Sequence, residues 1–429
     1  MKPIKVGLLG LGTVGTGVVR IIEGHQEDLQ RKTASAQISI EKILVQNLEK
    51  ERTVYVNRDL LTDQAEDVIA NSEIDIVIEV MGGVELARAY ILEALERGKH
   101  VVTANKDLMA LHGPEILAKA AEKGCDVFYE ASVAGGIPII RTLIDGFSSD
   151  RITKIMGIVN GTTNYILTKM SQEGAAYADV LKEAQDLGYA EADPTSDVEG
   201  LDAARKMTIL STLGFNSSVD LKDVEVKGIS QVTKEDIAYG KQLGYEVKLL
   251  GIAESQDDHI SVSVQPTMVK KSHPLSAVNG VFNAVYVYGE AVGETMFYGP
   301  GAGTMPTATS VVADLVAVIR NMQAGVSGRE IFKPYKEKKL KTDEQISSKY
   351  FLLLHVDDKA GVLAKITQVF SQYDVSLESV LQHPNQHNPD AEIIIITHGA
   401  NRASMNNVIA EFDRLDVIRS IKSVYRVEG

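Results

Sequence analysis

Residues 4–22 read IKVGLLGLGTVGTGVVRII, and this stretch decides the fold of the first part of the chain. The apolar run Ile4–Leu9 predicts a short buried strand, and the residues after Gly15 have the spacing of a helix. Between them stands a Gly-x-Gly-x-x-Gly loop at residues 10–15. In this setting the glycines allow a tight turn, close approach of a pyrophosphate, and packing of helix on strand. We therefore predict a dinucleotide-binding loop, with a purely structural glycine turn as the alternative.

Apolar runs continue to alternate with helical patterns up to about residue 150. Strands are predicted at residues 38–45, 75–80, 100–104 and 126–131, and helices at residues 86–97 and 114–123. This alternation predicts an α/β fold with an N-terminal Rossmann doubly wound parallel sheet, which binds ligands at the carboxyl ends of its strands. Lys106 follows one such strand. A role beside the nicotinamide ring and a simply solvated lysine are equally compatible with that position.

The end of the second predicted strand bears on the choice of dinucleotide. An acidic residue here would bind the ribose hydroxyls of NAD, but Gln46 and Asn47 stand at this position, with Lys50 nearby. No carboxylate repels a 2′-phosphate there and no arginine is placed to bind one. The sequence leaves NAD and NADP open, with a weak preference for NADP.

Composition bounds the class of protein. The chain has 429 residues, of which 44% are hydrophobic and 24% charged, which indicates a globular protein of two or three domains. The net charge of -14 argues against nucleic acid and anionic membranes as partners. Cys125 is the single cysteine, so we expect no intramolecular disulfide and a cytoplasmic location. No apolar run has the length of a membrane span.

The pattern changes after residue 151. A strand is predicted at residues 152–159, followed by the turn NGTTN and a helix that begins near Tyr165, with Thr162 or Thr163 as its cap. The first amides of that helix are also suited to a substrate carboxylate. Further strands at residues 248–253, 260–265, 284–290 and 295–298 predict an α+β region with a mostly antiparallel sheet.

Residues 188–206 read GYAEADPTSDVEGLDAARK, an acidic segment that runs into a helical pattern. Asp202 and Lys206 are four residues apart, so on a helix they share one face. Such a pair suits a zwitterionic substrate that must also receive a proton. Taken alone, an exposed ion pair worth under ~1 kcal/mol is the simpler interpretation.

The last third of the chain has two further features. The glycine-rich loop GPGAG at residues 299–303 precedes a predicted helix at residues 306–320, and it either forms a turn or approaches a cofactor. After a polar, lysine-rich linker, residues 347–429 show the order βαββαβ of a ferredoxin-like fold. His383 and His387 lie in the segment QHPNQHNPD, where Pro384 prevents a helix from aligning them, so we predict a solvated loop rather than a metal site.

These motifs together resemble homoserine dehydrogenase. The resemblance rests on GLGTVG, on TANK at residues 103–106, on NGTTNYI at residues 160–166, on the acidic segment and on GPGAG, in the order of that family. It covers about the first 320 residues, and the long acidic motif is the most specific part. The last 80 or so residues resemble an ACT domain, except that Ala360 stands where proline is usual.

The resemblance implies an enzyme that interconverts L-aspartate 4-semialdehyde and L-homoserine with NAD or NADP. It implies that Lys206 is the general acid/base, that Lys106 assists, and that Glu191 and Asp202 hold the substrate. The residues implied in cofactor binding are Gly10, Leu11, Gly12, Thr13, Val14, Gly15, Thr103, Lys106, Gly188 and Gly303. The family also binds a monovalent cation such as sodium, and the matching positions are Glu130, Val133, Gly135 and Ile137, mostly through backbone oxygens.

The implied organisation has four parts. They are a dinucleotide-binding domain at residues 1–150 completed by a return helix at 304–320, a substrate and dimerisation domain at 151–303, a linker at 321–346 and an ACT domain at 347–429. The resemblance also implies a homodimer or homotetramer and feedback by an amino acid, most plausibly L-threonine. Two alternatives are a semialdehyde dehydrogenase of another type, which needs Cys125 as nucleophile, and a non-catalytic amino-acid sensor.

Overall fold

The computed structural model describes residues 3–329, 332–384 and 390–429. The chain forms two compact units. The first unit contains Met1–Ile155, Arg205–Lys222 and Phe282–Glu337, and the second contains Met156–Ala204, Asp223–Val281 and Lys338–Gly429. His387 lies outside the described residues. No helix in the described part of the chain is long and apolar enough to cross a membrane.

A parallel sheet flanked by helices forms the centre of the first unit. Its strands are β1 (Ile4–Leu9), β2 (Ile38–Leu44), β3 (Leu61–Thr62), β4 (Ile76–Glu79), β5 (His100–Thr103) and β6 (Val127–Phe128). The helices are α1 (Thr13–Gly24), α2 (Gln26–Lys32), α3 (Glu66–Ile69), α4 (Glu85–Glu96) and α5 (Lys106–Lys123). The strand order β3-β2-β1-β4-β5-β6 reverses direction next to β1, so the switch point lies between β1 and β4. This confirms the Rossmann sheet.

The predicted lengths of two elements of this unit were wrong. Strand β6 is only two residues long, because the amide of Glu130 donates to the carboxylate of Asp314 at 2.8 Å and residues 130–132 turn away as a 3₁₀ turn. Helix α5 begins at Lys106 rather than at Pro114, because Asn105 caps it by accepting from the amide of Leu108 at 3.1 Å. Pro114 therefore lies inside a helix, and Lys106 is the first helical residue.

The middle of the chain carries mixed α and β structure. Its elements are β7 (Ile152–Ile158), α6 (Gly161–Glu173), α7 (Tyr177–Asp186), α8 (Thr195–Val198), α9 (Leu201–Phe215), β8 (Val224–Val226), α10 (Lys234–Gln242), β9 (Tyr245–Gln256) and β10 (His259–Lys270). Strands β9 and β10 form a long antiparallel pair within the second unit, and β8 runs parallel to β10. Helices α6 and α10 pack on β9.

The chain then returns to the first unit. Strands β11 (Phe282–Gly289) and β12 (Gly293–Pro300) form an antiparallel hairpin, and helix α11 (Thr304–Ala324) follows. Helix α11 packs on α1 at Gly17, where a Cβ would lie 2.5 Å from the carbonyl oxygen of Thr304. Leu315 and Ile319 of α11 are buried in the core beneath the parallel sheet.

The C-terminal part of the second unit is the predicted ferredoxin-like module. The short strand β13 (Lys339–Leu340) precedes it and pairs with β10. The elements of the module are β14 (Ser347–Asp357), α12 (Val362–Gln372), β15 (Leu377–Pro384), β16 (Asp390–Thr397), β17 (Ala400–Asn401), α13 (Arg402–Phe412) and β18 (Ile418–Glu428). The order β18-β14-β16-β15 is antiparallel throughout, and α12 and α13 cover a core that includes Phe370 and Phe412. His383 is the penultimate residue of strand β15 and stacks on Tyr239 at 5.5 Å, so the solvated loop predicted for it was wrong.

This module is joined to the rest of the second unit by a continuous sheet. Strand β18 pairs in parallel with β10, with Thr267, Met268 and Val269 opposite residues 426–428. The buried Asp236 accepts hydrogen bonds from the hydroxyls of Ser423 and Tyr425, the latter at 2.8 Å. The ammonium of Lys227 donates to the carbonyl of Val424 at 3.3 Å. The βαββαβ module therefore shares its edge strand with the sheet of β9 and β10.

Candidate active site

The glycine loop after β1 has the geometry that a dinucleotide requires. Gly10 has a φ of +103°, and a Cβ there would lie 2.8 Å from the Cα of Met81, so only glycine fits this turn. A Cβ on Gly15 would lie 2.3 Å from the carbonyl oxygen of Gly10. A Cβ on Gly12 would meet nothing within 4 Å, and Gly12 stands at the start of helix α1. The first and third glycines thus serve close packing, and the second leaves the helix N-terminus open to a phosphate.

An arginine that the sequence reasoning missed lies on the loop after β2. The guanidinium of Arg52 donates to the carbonyls of Asn47, Leu48 and Lys50 at 2.6, 3.2 and 2.7 Å. It thus folds back over the residues that follow the strand, where the adenosine ribose is expected. The sequence does not indicate this position, because residue spacing alone does not reveal a side chain that folds back.

Glu79, the last residue of β4, is a second residue that the sequence reasoning missed. Its side chain is fully buried, and Oε2 accepts from the hydroxyl of Thr103 at 2.6 Å. Oε1 accepts from the amides of Met81 and Gly82 at 2.9 and 3.3 Å. Burial raises the pKa of Glu79, and these hydrogen bonds oppose the rise. The carboxyl group fixes the loop after β4 against Thr103 and Gly10, at the switch point of the sheet.

The N-terminus of α5 carries two residues of the TANK motif, Asn105 as the cap and Lys106 as the first helical residue. The side-chain amide nitrogen of Asn105 donates to the carbonyl of Gly83 at 2.6 Å, which ties this turn to the loop after β4. Lys106 is half-buried, and its neighbour Asp107 forms an ion pair with Arg205 of α9 at 2.8 Å. Because Arg205 precedes Lys206, this ion pair joins the start of α5 to the turn of α9 that carries Lys206.

The acidic segment is only partly exposed. Asp202 lies in the first turn of α9 and is 2% exposed, whereas Lys206, one turn further along the same helix, is half-buried. The interpretation as an ordinary surface ion pair therefore fails for Asp202. Glu191 is exposed and lies in the turn before α8, where its carbonyl accepts from the side chain of Gln185 at 3.0 Å.

The residues around the turn at 188–195 are held by local hydrogen bonds. Gly188 has a φ of +75° after helix α7, a conformation that favours glycine. The hydroxyl of Thr162 donates to the carbonyl of Tyr189 at 2.6 Å, which fastens the segment to the start of α6. Asp193 accepts from the amide and the hydroxyl of Thr195, and these bonds lower the pKa of Asp193.

The cap of α6 also differs from the prediction. Asn160 caps this helix, since its Oδ1 accepts from the amide of Thr163 at 2.8 Å, and the helix starts at Gly161. Thr162 and Thr163 are inside the first turn, so neither is the cap. Asn160 is 6% exposed, and its amide nitrogen donates to the carboxylates of Asp197 and Asp202, both at 2.8 Å.

The predicted cation ligands lie on one tight loop of the first unit. Ala134 and Gly135 have φ angles of +53° and +47°, and a Cβ on Gly135 would lie 2.4 Å from the carbonyl oxygen of Gly301. The loop is thus pressed against the GPGAG segment, and the amide of Gly136 donates to the carbonyl of Pro300 at 3.1 Å. The close contact explains why both segments carry glycine.

Oxygen atoms of two of these residues already accept hydrogen bonds from the protein. The carboxylate of Glu130 accepts from the amides of Ile140 and Arg141 at 2.7 and 2.9 Å, and the carbonyl of Gly135 accepts from the hydroxyl of Ser310 at 2.7 Å. A carbonyl oxygen has a second lone pair, so a backbone-oxygen site fits these residues. Within residues 3–329, 332–384 and 390–429, no group of three or more His, Cys, Asp or Glu side chains is arranged to hold a metal ion.

Cys125 does not have the properties of a nucleophile. It is buried, and burial raises the pKa of its thiol to about 11. The thiolate is the reactive form of cysteine, so a raised pKa makes this side chain inert near neutral pH. The alternative of a thiol-dependent semialdehyde dehydrogenase has no support in this geometry.

The fold and these residues define a class: an oxidoreductase with a Rossmann nicotinamide-binding unit and a C-terminal ACT domain. The family model "Homoserine dehydrogenase, NAD binding domain" matches residues 10–130, "Homoserine dehydrogenase" matches residues 138–316, and "ACT domain" matches residues 350–417. The chain belongs to the homoserine dehydrogenase family.

Individual relatives agree with this assignment. The homoserine dehydrogenase of Bacillus subtilis (strain 168) is 59% identical over 430 residues, covering 100% of this chain and 99% of the relative. That of Neisseria gonorrhoeae is 40% identical over 434 residues, with coverage of 100% and 99%. The crystal structure of a homoserine dehydrogenase from Thiobacillus denitrificans matches with a TM-score of 0.94 and 42% identity, covering 100% of this chain and 99% of that one. A hyperthermophilic archaeal homoserine dehydrogenase in complex with NADPH matches 74% of this chain and 97% of its own, with 26% identity and a TM-score of 0.62.

Proposed function

We propose that this enzyme interconverts L-aspartate 4-semialdehyde and L-homoserine, with Lys206 as the general acid/base. The observation that carries the proposal is helix α9, on which the buried Asp202 and the half-buried Lys206 stand one turn apart. On a solvated surface helix, the carboxylate of such a pair would be exposed to water. Family membership supports the reaction, and the positions of these two residues support their roles.

The chemistry assigns a task to each side chain. The nicotinamide supplies or accepts the hydride, so the protein must orient the substrate and move one proton at its oxygen. Lys206 donates that proton to the carbonyl oxygen during reduction and removes it from the hydroxyl during oxidation. General acid catalysis of this kind contributes about 10²–10⁴ in rate. Lys106, at the start of α5, adds positive charge that stabilises the developing alkoxide.

The substrate carries an ammonium and a carboxylate on one carbon, and we assign binding groups of the protein to each of them. Asp202 and Glu191 are the proposed partners of the ammonium. The first amides of α6, at residues 161–162, are the proposed partners of the carboxylate, because the initial N–H groups of a helix have no acceptor within it.

The proposed cofactor site comprises the glycine loop, Thr103, Lys106, Gly188 and Gly303. We favour NADP over NAD, because Lys50 and Arg52 bring positive charge to the loop after β2. The archaeal relative that matches this chain is described in complex with NADPH, which agrees with this preference. A sodium-like cation on the backbone oxygens of the 130–137 loop is part of the same proposal.

Regulation and assembly complete the proposal. An amino-acid effector, most plausibly L-threonine, binds the ACT domain, and the enzyme assembles as a homodimer or homotetramer. The ACT module and the segment that carries Asp202 belong to the same compact unit, which supports a regulatory link between them.

The test is a steady-state assay of L-homoserine oxidation with NAD and NADP separately, each with and without L-threonine. We expect turnover with both cofactors, a lower KM for NADP, and inhibition by threonine. Absence of nicotinamide reduction with L-homoserine would overturn the proposed reaction. Normal turnover without any effect of threonine would overturn only the proposed effector.

A further inference from the structure

Asn160 is held by a hydrogen-bond network that fixes the direction of its amide. Its Oδ1 accepts from the amide of Thr163 at 2.8 Å and from the hydroxyl of Thr163 at 2.9 Å. Its nitrogen donates to Asp197 and to Asp202, both at 2.8 Å. A planar amide has two N–H donors and two oxygen lone pairs, so all four positions are used. Rotating the amide by half a turn would set its oxygen against two carboxylates and its NH₂ against an N–H donor, so the other orientation is excluded.

The shared nitrogen also sets the spacing of the two carboxylates. Two hydrogen bonds of 2.8 Å that leave one planar nitrogen about 120° apart place the two carboxylate oxygens about 5 Å from each other. Two carboxylates at that distance repel one another, and a cation that contacts both relieves the repulsion. An alkylammonium group is of the size that fits such a pair.

The same residue fixes these carboxylates relative to the start of α6. Because Oδ1 of Asn160 caps the helix, the amides at residues 161–162 directly follow the residue that holds Asp197 and Asp202. An α-amino acid presents its ammonium and its carboxylate on a single carbon, so its two receptors must be held at a fixed, short separation. Few residues other than asparagine can accept from a helix N–H and donate to two carboxylates at once.

We infer that Asn160 is a positioning residue for the α-amino acid end of the substrate, acting through Asp202 and Asp197. The inference rests on the proposed function, since it assumes that Asp202 receives the substrate ammonium. Asn160 itself touches neither the reacting carbon nor the hydride. Loss of its amide nitrogen is therefore expected to weaken recognition of the ammonium more than it slows the chemical step.

The experiment separates the cap from the contact with the carboxylates. Asn160→Ser keeps a good N-cap but removes the NH₂ group, whereas Asn160→Ala removes both. The probes are two competitive inhibitors against L-homoserine, L-2-aminobutyrate and butyrate, which differ only in the ammonium group. In the wild type we expect L-2-aminobutyrate to bind more tightly than butyrate. In Asn160→Ser we expect that preference to fall about tenfold or more, the effect of losing a hydrogen bond to a charged group.

Asn164→Ala is the matched control. Asn164 is a buried asparagine on the same helix, and its amide donates to the carbonyls of Val278 and Gly280 at 3.2 and 2.9 Å rather than to carboxylates. We expect this variant to lose thermal stability while it keeps the ratio of the two inhibition constants within about twofold of the wild type, because the carboxylates keep their hydrogen bonds. Equal loss of the ratio in both variants would show a general structural effect and overturn the inference.

A pH profile gives a second readout. Asn160→Asp keeps a good N-cap but sets a third carboxylate beside Asp197 and Asp202. Like charges favour protonation, so the acidic limb of the kcat/KM profile for L-homoserine should move to higher pH. A profile that coincides with that of the wild type would contradict the inference. If the wild-type enzyme does not oxidise L-homoserine at all, the proposed function fails instead, and the two failures are thus distinguishable.

Discussion

Substitution of Glu79 tests the role of the buried carboxyl group at the switch point of the sheet. In Glu79→Ala the hydroxyl of Thr103 and the amides of Met81 and Gly82 lose their acceptor. Each unsatisfied buried donor costs about 1–3 kcal/mol, and the variant no longer buries a carboxylate, which offsets part of the loss. We expect a net loss of about 3–5 kcal/mol in the free energy of unfolding of the first unit, or at least about 6 °C in its melting temperature.

Glu79→Gln keeps the shape but cannot ionise. Its oxygen can accept from the two amides, and its NH₂ can donate to the hydroxyl of Thr103, which already accepts from the amide of Asn105 at 3.0 Å. Only the donor of the Thr103 hydroxyl is then lost, so we expect a cost of about 1 kcal/mol. The cofactor KM should rise in Glu79→Ala and change little in Glu79→Gln, because Glu79 shapes the loop that packs against Gly10.

The difference in stability between Glu79→Gln and the wild type should change with pH in a defined direction. The pKa of Glu79 is raised in the folded state, so the folded protein binds this proton more tightly than the unfolded chain does. Its contribution is fully present below the unfolded pKa and is lost as pH rises through the folded pKa. Relative to the wild type, Glu79→Gln should therefore become more stable as pH rises above the ordinary pKa of a glutamate.

Thermal unfolding of the wild type and the two Glu79 variants at a series of pH values above that pKa is the assay. Glu66→Gln, at the exposed start of α3, serves as the control for the loss of one surface carboxylate. A difference between Glu79→Gln and the wild type that does not change with pH would refute the reasoning. So would equal melting temperatures for Glu79→Ala and Glu79→Gln.

Further predictions concern the cofactor loop and the cysteine. Gly12→Ala should raise the cofactor KM with little change in melting temperature, because a Cβ there meets no protein atom within 4 Å. Gly15→Ala should unfold at a lower temperature, because its Cβ would lie 2.3 Å from the carbonyl oxygen of Gly10. Equal melting temperatures for the two variants would contradict this prediction. Arg52→Ala should raise KM for NADP more than for NAD, because a 2′-phosphate loses a cationic partner, and a proportional rise for both would oppose the proposed preference. Cys125→Ser should keep wild-type turnover with L-homoserine, because the thiol with a pKa near 11 takes no part in the reaction; a large loss of kcat at unchanged thermal stability would contradict this.

The parallel sheet could be predicted from the sequence because its signals are local. Short apolar runs alternate with helical patterns, and the glycine loop at residues 10–15 falls between the first strand and the first helix. The βαββαβ order of the C-terminal module follows from the same kind of periodicity. The pairing of β18 with β10 could not be predicted in this way, because the pattern of one strand does not reveal which distant strand it pairs with.

The candidate site was predictable only in part. Asp202 and Lys206 were identified by their spacing, but the burial of Asp202 depends on packing in three dimensions. Glu79 is the last residue of an apolar strand, and its partner Thr103 is 24 residues away in the chain, so the sequence pattern does not reveal this contact. Asn105 and Asn160 were missed as caps because threonine and proline nearby are equally common signals for the start of a helix.

The pairing of the module with β10 changes how regulation should be tested. Deletion from Ser347 onward removes β18 and leaves the buried Asp236 without the hydroxyls of Ser423 and Tyr425. Loss of activity in such a truncation would thus report damage to the sheet rather than loss of an effector. Effector tests therefore belong in the full-length chain.

Lys206 is proposed to transfer the proton during oxidation of L-homoserine. The most direct measurement compares wild type and Lys206→Ala for kcat with L-homoserine at saturating cofactor, together with the cofactor Kd by titration. We predict that kcat falls by about 10²-fold or more, in line with the loss of a general acid/base, while Kd changes by less than about threefold. A variant that retains wild-type kcat, or that loses cofactor binding in parallel with turnover, would contradict the account.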